Sequence, residues 1–434
     1  MFRFVLAMML AASAIAANAA DSPPRRVYIL AGALLDRPGT APRGPSTIIV
    51  ENERILAVED GFREPPSDAR VIDLRDAFVM PGLIDSHVHL FGIAGDPLRA
   101  RLEAMTRDGF DDELTAVANA RATLRAGFTS VRDLGGDARG VRALRDAIDK
   151  GVIEGPTITN AGDIISVTGG HGDKTNGLAE RFADAVHQHQ VNICDGPDDC
   201  RRAVRAEVGL GAQVIKFAAT GGVLSNVSGG LARAMTFEEM QAIVETAHGL
   251  GRKVAAHSHA VEGTRNALRA GVDSIEHGTF LDDEAIRLFK ETGAYLVPTM
   301  LAPVTVTEQA RAGALPAAVL PKIEQASAAA NASIARAIAA GVKIAFGTDT
   351  GVSKPGENGR EFALMVKAGM RPADAIKAAT VSAADLLGKD DVGSIAPGKY
   401  ADIISVERSP LQQVDVLEHV RFVMHRGQVV KDDR

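Results

Sequence analysis

The chain has 434 residues, of which 46% are hydrophobic, so it can bury a large core and exceeds one small domain. Its 48 lysine and arginine residues are outnumbered by 55 aspartate and glutamate residues, which gives a formal net charge of −7. This mild acidity, together with the lack of any Lys/Arg-dense run, argues against a nucleic-acid partner.

The N-terminal segment predicts a signal peptide over residues 1–20. Arg3 supplies a positive start, residues 5–16 form a short apolar run, and residues 17–19 (Ala-Asn-Ala) match a cleavage site. A membrane anchor is the alternative, but the run is short for a span and ends in small residues. We therefore expect a secreted protein, in a bacterial periplasm, with no stable membrane span after signal removal.

The two ends of the remaining chain share one character. Residues 21–77 contain strand-like segments such as VYILAGALL and STIIVENERILAVE, separated by Gly/Pro turns. Residues 391–434 have the same character in GSIAPGKYADIISVE and FVMHRGQVVKD. Neither end alone can cover the face of a sheet, so we expect one small composite β-sandwich domain built from both.

The middle of the chain, residues 78–390, repeats a polar amphipathic stretch, a glycine and an apolar strand. Each glycine suits the left-handed position that ends a helix, and each following run is typical of a strand buried on both faces. Such βα units predict an α/β fold with a parallel sheet. Residues 78–90, about 156–171 and 212–217 bring the strands to eight, which predicts a (β/α)8 TIM barrel. The repeated segments are 125–133, 249–257, 269–277, 291–299 and 339–349.

Three local features complete the organisation. Thr236 and Glu239 form a capping-box pattern that predicts the start of a helix. Residues 172–200 have few apolar anchors and are expected to form a long loop after the third strand. Cys194 and Cys200 are the two cysteines, and they could either pair in an oxidising compartment or remain free thiols.

Histidines follow three of the predicted strands, at the C-terminal ends where the active sites of such barrels lie. His87 and His89 close the first strand, and alternate residues of a strand point the same way, so both imidazoles can reach one metal ion. His257 and His277 end the fifth and sixth strands. A lone histidine is more often a hydrogen-bonded structural residue, but their location on three strand ends favours a metal site.

Lys216 and Asp349 end two further strands. Lys216 lies in the apolar segment VIKF, where burial would lower its pKa. A neutral amine can react with carbon dioxide to form a carbamate that bridges two metal ions; a lysine that snorkels or pairs with an acid is the alternative, and the residues alone leave both open. Asp349 could bind a metal ion and accept a proton from bound water, or cap a helix.

The segments PGLIDSHVH, VIKF, AAHSH, IEHG and GTD, in this order, resemble the amidohydrolase superfamily. The likeness covers nearly all of the chain beyond the signal, and GSIAPGKYADI is similar to the small β-domain signature of the superfamily. Residues 168–171 (TGGH), 219–225 (ATGGVLS) and 257–260 (HSHA) resemble the imidazolonepropionase-like branch of Xaa-Pro and Xaa-Arg/Lys dipeptidases, to which ochratoxin-type amidases are related.

The resemblance implies a binuclear centre of divalent ions. Zinc is the expected metal, while manganese, cobalt and iron also accept nitrogen and oxygen ligands. Lys216, as a carbon dioxide-derived carbamate, would bridge both ions, and Asp349 would also move the catalytic proton. The implied metal ligands are His87, His89, Lys216, His257, His277 and Asp349.

The resemblance also implies roles near the substrate. His171 and His259 would be catalytic and substrate-binding residues that polarise the scissile carbonyl or hold a carboxylate. Val223 and Leu224 would bring apolar groups to the mouth of the fourth strand.

Residues 350–362 depart from the pattern of relatives, which often carry a histidine and polar residues that shape a carboxylate pocket. Here Lys354, Asn358 and Arg360 could hold an acid group or belong to a solvated loop. Lys354 and Arg360 are therefore candidate substrate-binding residues.

The implied activity is hydrolysis of an amide or peptide bond by a metal-bridging hydroxide, which releases the C-terminal amino acid from dipeptides or N-acyl amino acids. The implied enzyme is a homo-oligomer that acts on a small-molecule substrate. Alternatives are an amidase for ochratoxin-like N-aroyl phenylalanine amides, or a cyclic-amide hydrolase or lactonase with the same centre. A non-catalytic binding protein would be expected to lack a metal ligand, and the pattern is complete.

Overall fold

The computed structural model describes residues 26–95, 103, 106–176, 178–187, 190–223, 230–314 and 320–434. The predicted signal peptide, residues 1–20, and Leu224 lie outside these ranges. Among the helices that are described, none is both long and apolar enough to cross a membrane.

The described strands come in three groups along the chain. The first group is β1 (Arg26–Leu34), β2 (Ser46–Glu51), β3 (Arg54–Asp60) and β4 (Arg70–Pro81). The second group is β5 (Leu83–Val88), β6 (Phe128–Asp133), β7 (Thr157–Asn160), β8 (Val214–Ala218), β9 (Lys253–Ser258), β10 (Ser274–His277) and β11 (Tyr295–Val297). The third group is β12 (Ile403–Val406), β13 (Phe422–His425) and β14 (Gln428–Asp432).

Helices alternate with the middle group of strands. The helices up to β9 are α1 (Gly109–Arg125), α2 (Ala138–Asp149), α3 (Glu180–His187), α4 (Pro197–Leu210) and α5 (Phe237–Gly249). The later helices are α6 (Val261–Ala270), α7 (Asp283–Thr292), α8 (Leu301–Arg311), α9 (Leu320–Ala339), α10 (Arg360–Lys367), α11 (Pro372–Lys377) and α12 (Ala383–Leu387). A π-helical turn (Ala378–Ser382) precedes α12, and a 3₁₀ helix (Val414–Glu418) lies between β12 and β13.

Both chain ends contribute to one seven-stranded sheet, in the order β14-β13-β12-β4-β1-β2-β3. Only β1 and β4 run parallel; the other neighbours are antiparallel. Ile29 and Ile48 from the first end and Ile403 and Phe422 from the second share a buried apolar cluster. Strands from both ends thus lie in one sheet, whereas the composite domain, its two-layered sandwich form and the boundary at residue 77 stay predictions.

The middle strands form two parallel sheets, β5-β6-β7 and β8-β9-β10-β11. Single bridges extend their edges: Ile165, which follows β7, pairs with Phe217 of β8, and Ile344 pairs with Leu296 of β11. The predicted eighth strand is represented by the bridge at Ile344 and by a bridge from Thr350 to β5. Within the described part of the chain, hydrogen bonding therefore gives a mixed α/β architecture with two parallel sheets rather than one continuous eight-stranded ladder.

The local signals that predicted these units are confirmed. The glycines at 127, 251, 271, 293 and 341 all have φ between 69° and 99°, the left-handed region that side chains disfavour. Thr236 caps α5 with both hydrogen bonds of the capping box to Glu239. These helix boundaries therefore lie where the sequence predicted them.

The prediction of a long loop over residues 172–200 needs correction. The segment contains α3 and the first turn of α4, and Ile193 forms a bridge with Ser166. Cys194 and Cys200 are joined by a disulfide, so the first of the two alternatives for the cysteines holds. Polar contacts and a covalent link replace the apolar anchors that the sequence lacks here.

Candidate active site

All six predicted metal ligands lie around one cavity of about 320 Å³. They come from the C-terminal ends of β5, β8, β9 and β10 and from the segment that follows Ile344, so residues far apart in sequence are brought together. His171, His259 and Val223 line the same cavity. The sequence prediction that these nine residues share one site is therefore matched by their positions.

The nitrogen and oxygen donors fall into two groups of three. His87, His89 and Asp349 form one group, and in each group the potential ligand atoms lie within 4.8 Å of one another. The Asp349 Oδ1 atom is 3.2 Å from His89 Nε2 and 3.6 Å from His87 Nε2. Two compact donor sets of this kind fit two divalent cations.

The second group contains His257 and His277 and adds His259. Sequence reasoning gave His259 a role at the substrate, whereas its geometry also qualifies it as a ligand of the second ion. The His259 and His277 rings are stacked, with centroids 4.7 Å apart. The HSH spacing was the available signal, because alternate strand residues point the same way.

Hydrogen bonds at Nδ1 orient the rings of four histidines. His89 Nδ1 lies 2.8 Å from the Gly135 carbonyl oxygen, to which it can only donate. The other three contacts join His87 to Glu276 Oε2 (2.8 Å), His259 to Thr279 Oγ1 (2.6 Å) and His277 to Thr299 Oγ1 (2.7 Å). A histidine that donates through Nδ1 keeps the Nε2 lone pair free for a metal ion.

Glu276 belongs to a buried charged network beneath the site that the sequence analysis did not single out. Its other oxygen, Oε1, accepts hydrogen bonds from Arg132 (2.8 Å) and Ser274 (2.6 Å). Arg132 also donates to the Ser86 carbonyl oxygen at 2.6 Å and to Ser274 Oγ at 3.0 Å. A glutamate and an arginine within strands predicted to be buried were the missed signal, since such charges are buried only when paired.

Burial lowers the pKa of every histidine in the second donor group and of two others. It brings the pKa of His87 and His171 to about 4 and that of His259 to about 3, with the Lys216 ammonium adding to the effect for His87 and His171. The pKa values of His257 and His277 fall well below the ordinary value for the same first reason. Neutral imidazole is the form that binds metal ions, so this environment favours ligation near neutral pH.

Lys216 and Asp349 are the lysine and the carboxylate of the cavity. Burial lowers the pKa of Lys216 to about 8, which increases the fraction of neutral, reactive amine. Burial alone would raise the pKa of Asp349, but His87, His89 and Lys216 outweigh it and hold that pKa at about 2. Asp349 is therefore a carboxylate at neutral pH.

Three residues of the cavity have left-handed backbone conformations without being glycine. The φ angles are 70° for His277, 47° for Thr299 and 59° for Asp349. Each such residue costs on the order of 1–3 kcal/mol, which the surrounding structure must offset. Backbone strain of this kind concentrates at functional sites, where it positions a side chain that relaxed geometry would misplace.

Of the segment after Asp349, Val352 lines the cavity, whereas Lys354, Asn358 and Arg360 are not among its described lining residues. Asn358 is buried and donates to Asp85 Oδ2 at 2.8 Å, and Asp85 also receives the Thr348 hydroxyl at 2.7 Å. Lys354 is exposed, and neither it nor Arg360 is among the described residues that line the cavity.

Arg360 instead forms ion pairs with Glu308 at 2.7 Å and Glu357 at 3.1 Å. The geometry thus gives no support to a substrate contact by Arg360 or Lys354. Leu224, predicted at the mouth of the site, lies outside the described residues.

Comparison with known proteins identifies the family. The Amidohydrolase family model matches residues 78–431. Ochratoxinase from Aspergillus niger is 31% identical over 412 residues, which cover 92% of this chain and 84% of that protein. Imidazolonepropionase from Salinispora arenicola is 24% identical, with 89% of this chain and 92% of that protein covered.

A solved structure described as a Xaa-Pro dipeptidase with bound methionine in the active site superposes with a TM-score of 0.87 and 38% identity, covering 93% of this chain and 99% of that one. These relatives match the branch that the sequence motifs resemble. The chain belongs to the amidohydrolase family.

Proposed function

We propose that this protein is a binuclear metal-dependent hydrolase that cleaves an amide or peptide bond and releases the C-terminal amino acid of dipeptides or N-acyl amino acids. The observation that carries the proposal is the pair of three-residue donor groups facing one cavity. Relatives described as ochratoxinase and Xaa-Pro dipeptidase support amide-bond hydrolysis. On this proposal the two parallel sheets close into the (β/α)8 barrel that the sequence predicts.

The donors divide between two ions. His87, His89 and Asp349 would hold the first, and His257 and His277, with His259 as a further candidate, would hold the second. Lys216, carbamylated on its buried amine, would bridge them. Bound divalent cations supply Lewis acidity, which acidifies water and polarises an amide carbonyl.

The protein side chains provide proton transfer and orientation. Asp349 is ionised, so it can accept a proton from the attacking water and return it to the leaving amine. His171 and His259 line the cavity as neutral imidazoles, which can donate an N–H hydrogen bond to the carbonyl oxygen as negative charge develops there.

The proposal is tested with purified protein and a panel of dipeptides and N-acyl amino acids, with metal content measured on the same samples. We expect release of free amino acid that depends on bound metal and is lost on chelation. Two bound ions without amide cleavage, accompanied by ring opening of lactones or cyclic amides, would contradict it.

We also propose export of the protein and its assembly into a homo-oligomer. The predicted signal peptide and the Cys194–Cys200 disulfide support an oxidising compartment. Cell fractionation of a tagged full chain is expected to place the processed protein outside the cytoplasm. Analytical ultracentrifugation is expected to show a mass above that of one chain.

A further inference from the structure

The cavity above the metal ligands extends between two helices. Helix α8 follows β11, and it packs against α9, which precedes the predicted eighth strand. Their facing side chains form one apolar surface, here termed the apolar chamber: Ala302, Val306, Ile323, Ala326, Ala330 and Ile334.

The residues of the chamber repeat at helical spacing. On α9, Ile323, Ala326, Ala330 and Ile334 lie three or four residues apart, so they occupy one face of the helix. The two alanines lie between the two isoleucines, which leaves a recess in the middle of that face. A group that enters the recess contacts apolar carbon on both sides.

The chamber carries no charge to balance a charged ligand. Among the described residues that line the cavity, ionisable side chains are the histidines, Lys216 and Asp349 of the site already described. Ser327 lies beside the chamber, but its hydroxyl donates to the Ile323 carbonyl oxygen at 2.8 Å within the helix. Asn331, the other polar side chain of α9 that lines the cavity, is uncharged. A charged substrate group placed in the chamber would therefore lose hydration with no opposite charge to pair with, which is unfavourable.

We propose that the apolar chamber binds a bulky, uncharged group, aromatic or branched, next to the scissile amide, and that Ala326 and Ala330 set its permitted size. This specificity rests on the proposed amide hydrolysis, because the chamber is continuous with the predicted metal ligands in one cavity. Dipeptides with a cationic side chain are poor substrates, whereas amides with a ring on one side of the bond are good ones. A cavity of about 320 Å³ accommodates one such ring system beside the reacting group.

The substitution Ala330→Leu fills the recess, and Ala326→Leu does the same at a less buried position should Ala330→Leu fail to fold. The matched control is Ala328→Leu, since Ala328 lies on the same helix but is exposed and does not line the cavity. Three N-acylated substrates are compared by kcat/KM: N-acetyl-L-phenylalanine, N-(2-naphthoyl)glycine and N-acetyl-L-arginine, with N-acetylglycine as the small reference.

We expect wild type to prefer at least one of the two ring-bearing substrates over N-acetyl-L-arginine by tenfold or more, the scale at which apolar pockets discriminate. Ala330→Leu or Ala326→Leu is expected to lower kcat/KM for the preferred ring-bearing substrate by about tenfold relative to kcat/KM for N-acetylglycine. The control Ala328→Leu should behave as wild type. Equal kcat/KM for ring-bearing and cationic substrates, or an unchanged preference in both folded chamber variants, would overturn the proposal.

A binding measurement separates this proposal from the proposed function. The neutral fluorescent probe N-phenyl-1-naphthylamine is expected to bind wild type and Ala328→Leu equally, and the chamber variants at least tenfold more weakly. If wild type cleaves no amide but the probe shows this pattern, the result supports apolar binding by the chamber and contradicts the proposed amide hydrolysis. Probe affinity that is identical in all variants contradicts the chamber whatever the enzyme hydrolyses.

Discussion

Glu276→Gln is the most informative perturbation of the network beneath the predicted metal ligands. Glu276 Oε1 accepts from Arg132, and Oε2 lies 2.8 Å from His87 Nδ1. The carboxylate offers an acceptor oxygen to each neighbour, whereas an amide offers one oxygen and one NH₂ group. Glutamine therefore cannot accept hydrogen bonds from both Arg132 and His87 through separate atoms. If the amide oxygen faces Arg132, its NH₂ group faces His87 and forces the proton of that ring onto Nε2, which blocks metal binding.

If the amide is reversed, its oxygen keeps the His87 tautomer but its NH₂ group opposes the buried guanidinium of Arg132. Both side chains are almost fully buried, so an uncompensated Arg132 charge is costly. Breaking a buried pair costs about 3–5 kcal/mol, and disturbing a histidine's outer partner reduces metal affinity by about 10–100-fold. We expect losses of this order in both quantities, with the stability loss nearer the lower limit because one hydrogen bond survives.

Metal affinity is measured by competition with a chromophoric chelator, and stability by urea denaturation of the metal-free protein. Asp402→Asn is the matched control, because Asp402 accepts from His425 Nδ1 at 2.9 Å in the seven-stranded sheet, far along the chain from the predicted ligands. It should lower stability without changing metal affinity. Metal affinity within twofold of wild type for Glu276→Gln would refute the role assigned to this network.

The other predictions concern the proposed proton carrier, the proposed bridge and a buried acid outside the candidate site. Asp349→Asn is expected to keep the fold, seen by circular dichroism, and to lower kcat by about 10²–10⁴-fold; near wild-type kcat in a metal-loaded variant would eliminate the proton role. Lys216→Ala should lower the bound metal from two ions to one per chain by elemental analysis, and bicarbonate should promote loading of wild type only; two ions in the variant would exclude a carbamate bridge. Burial raises the pKa of Glu207 to about 8 from 4.5, so the folded state binds more protons and the free energy of unfolding falls as pH rises from about 4.5 to 8. Glu207→Gln should weaken this pH dependence of the free energy of unfolding, measured by urea denaturation at several pH values. An unchanged pH dependence would contradict the assignment to Glu207.

Much of the fold is readable along the chain because it depends on local physics. Left-handed glycines follow the helices at positions 127, 251, 271, 293 and 341, and a buried strand needs apolar residues on both faces. Seven of the eight predicted strands accordingly recur as named strands. The eighth is reduced to isolated bridges near Ile344, because strand assignment depends on partners that sequence does not specify.

The candidate site was predicted unevenly. His87, His89, Lys216, His257, His277 and Asp349 follow recognisable strands, and their common cavity agrees with the prediction. Arg360 resembled an anion-binding residue, but its guanidinium is occupied by Glu308 and Glu357. Glu357, three residues before Arg360, was a local signal for this pairing, whereas Glu308, 52 residues away, leaves no local pattern.

The sequence by itself determined the family, the donor chemistry and the strand ends on which the donors lie, because these are set by residue type and short-range periodicity. Tertiary structure alone decided that His87, His89, His259 and His277 are hydrogen-bonded through Nδ1, that Glu276 and Arg132 support His87, and that the alanines of α9 line the same cavity as the predicted metal ligands. Those facts depend on distances between segments far apart in the chain, such as the 189 residues that separate His87 from Glu276. Such distances are fixed by packing of the whole core and not by any stretch of the chain.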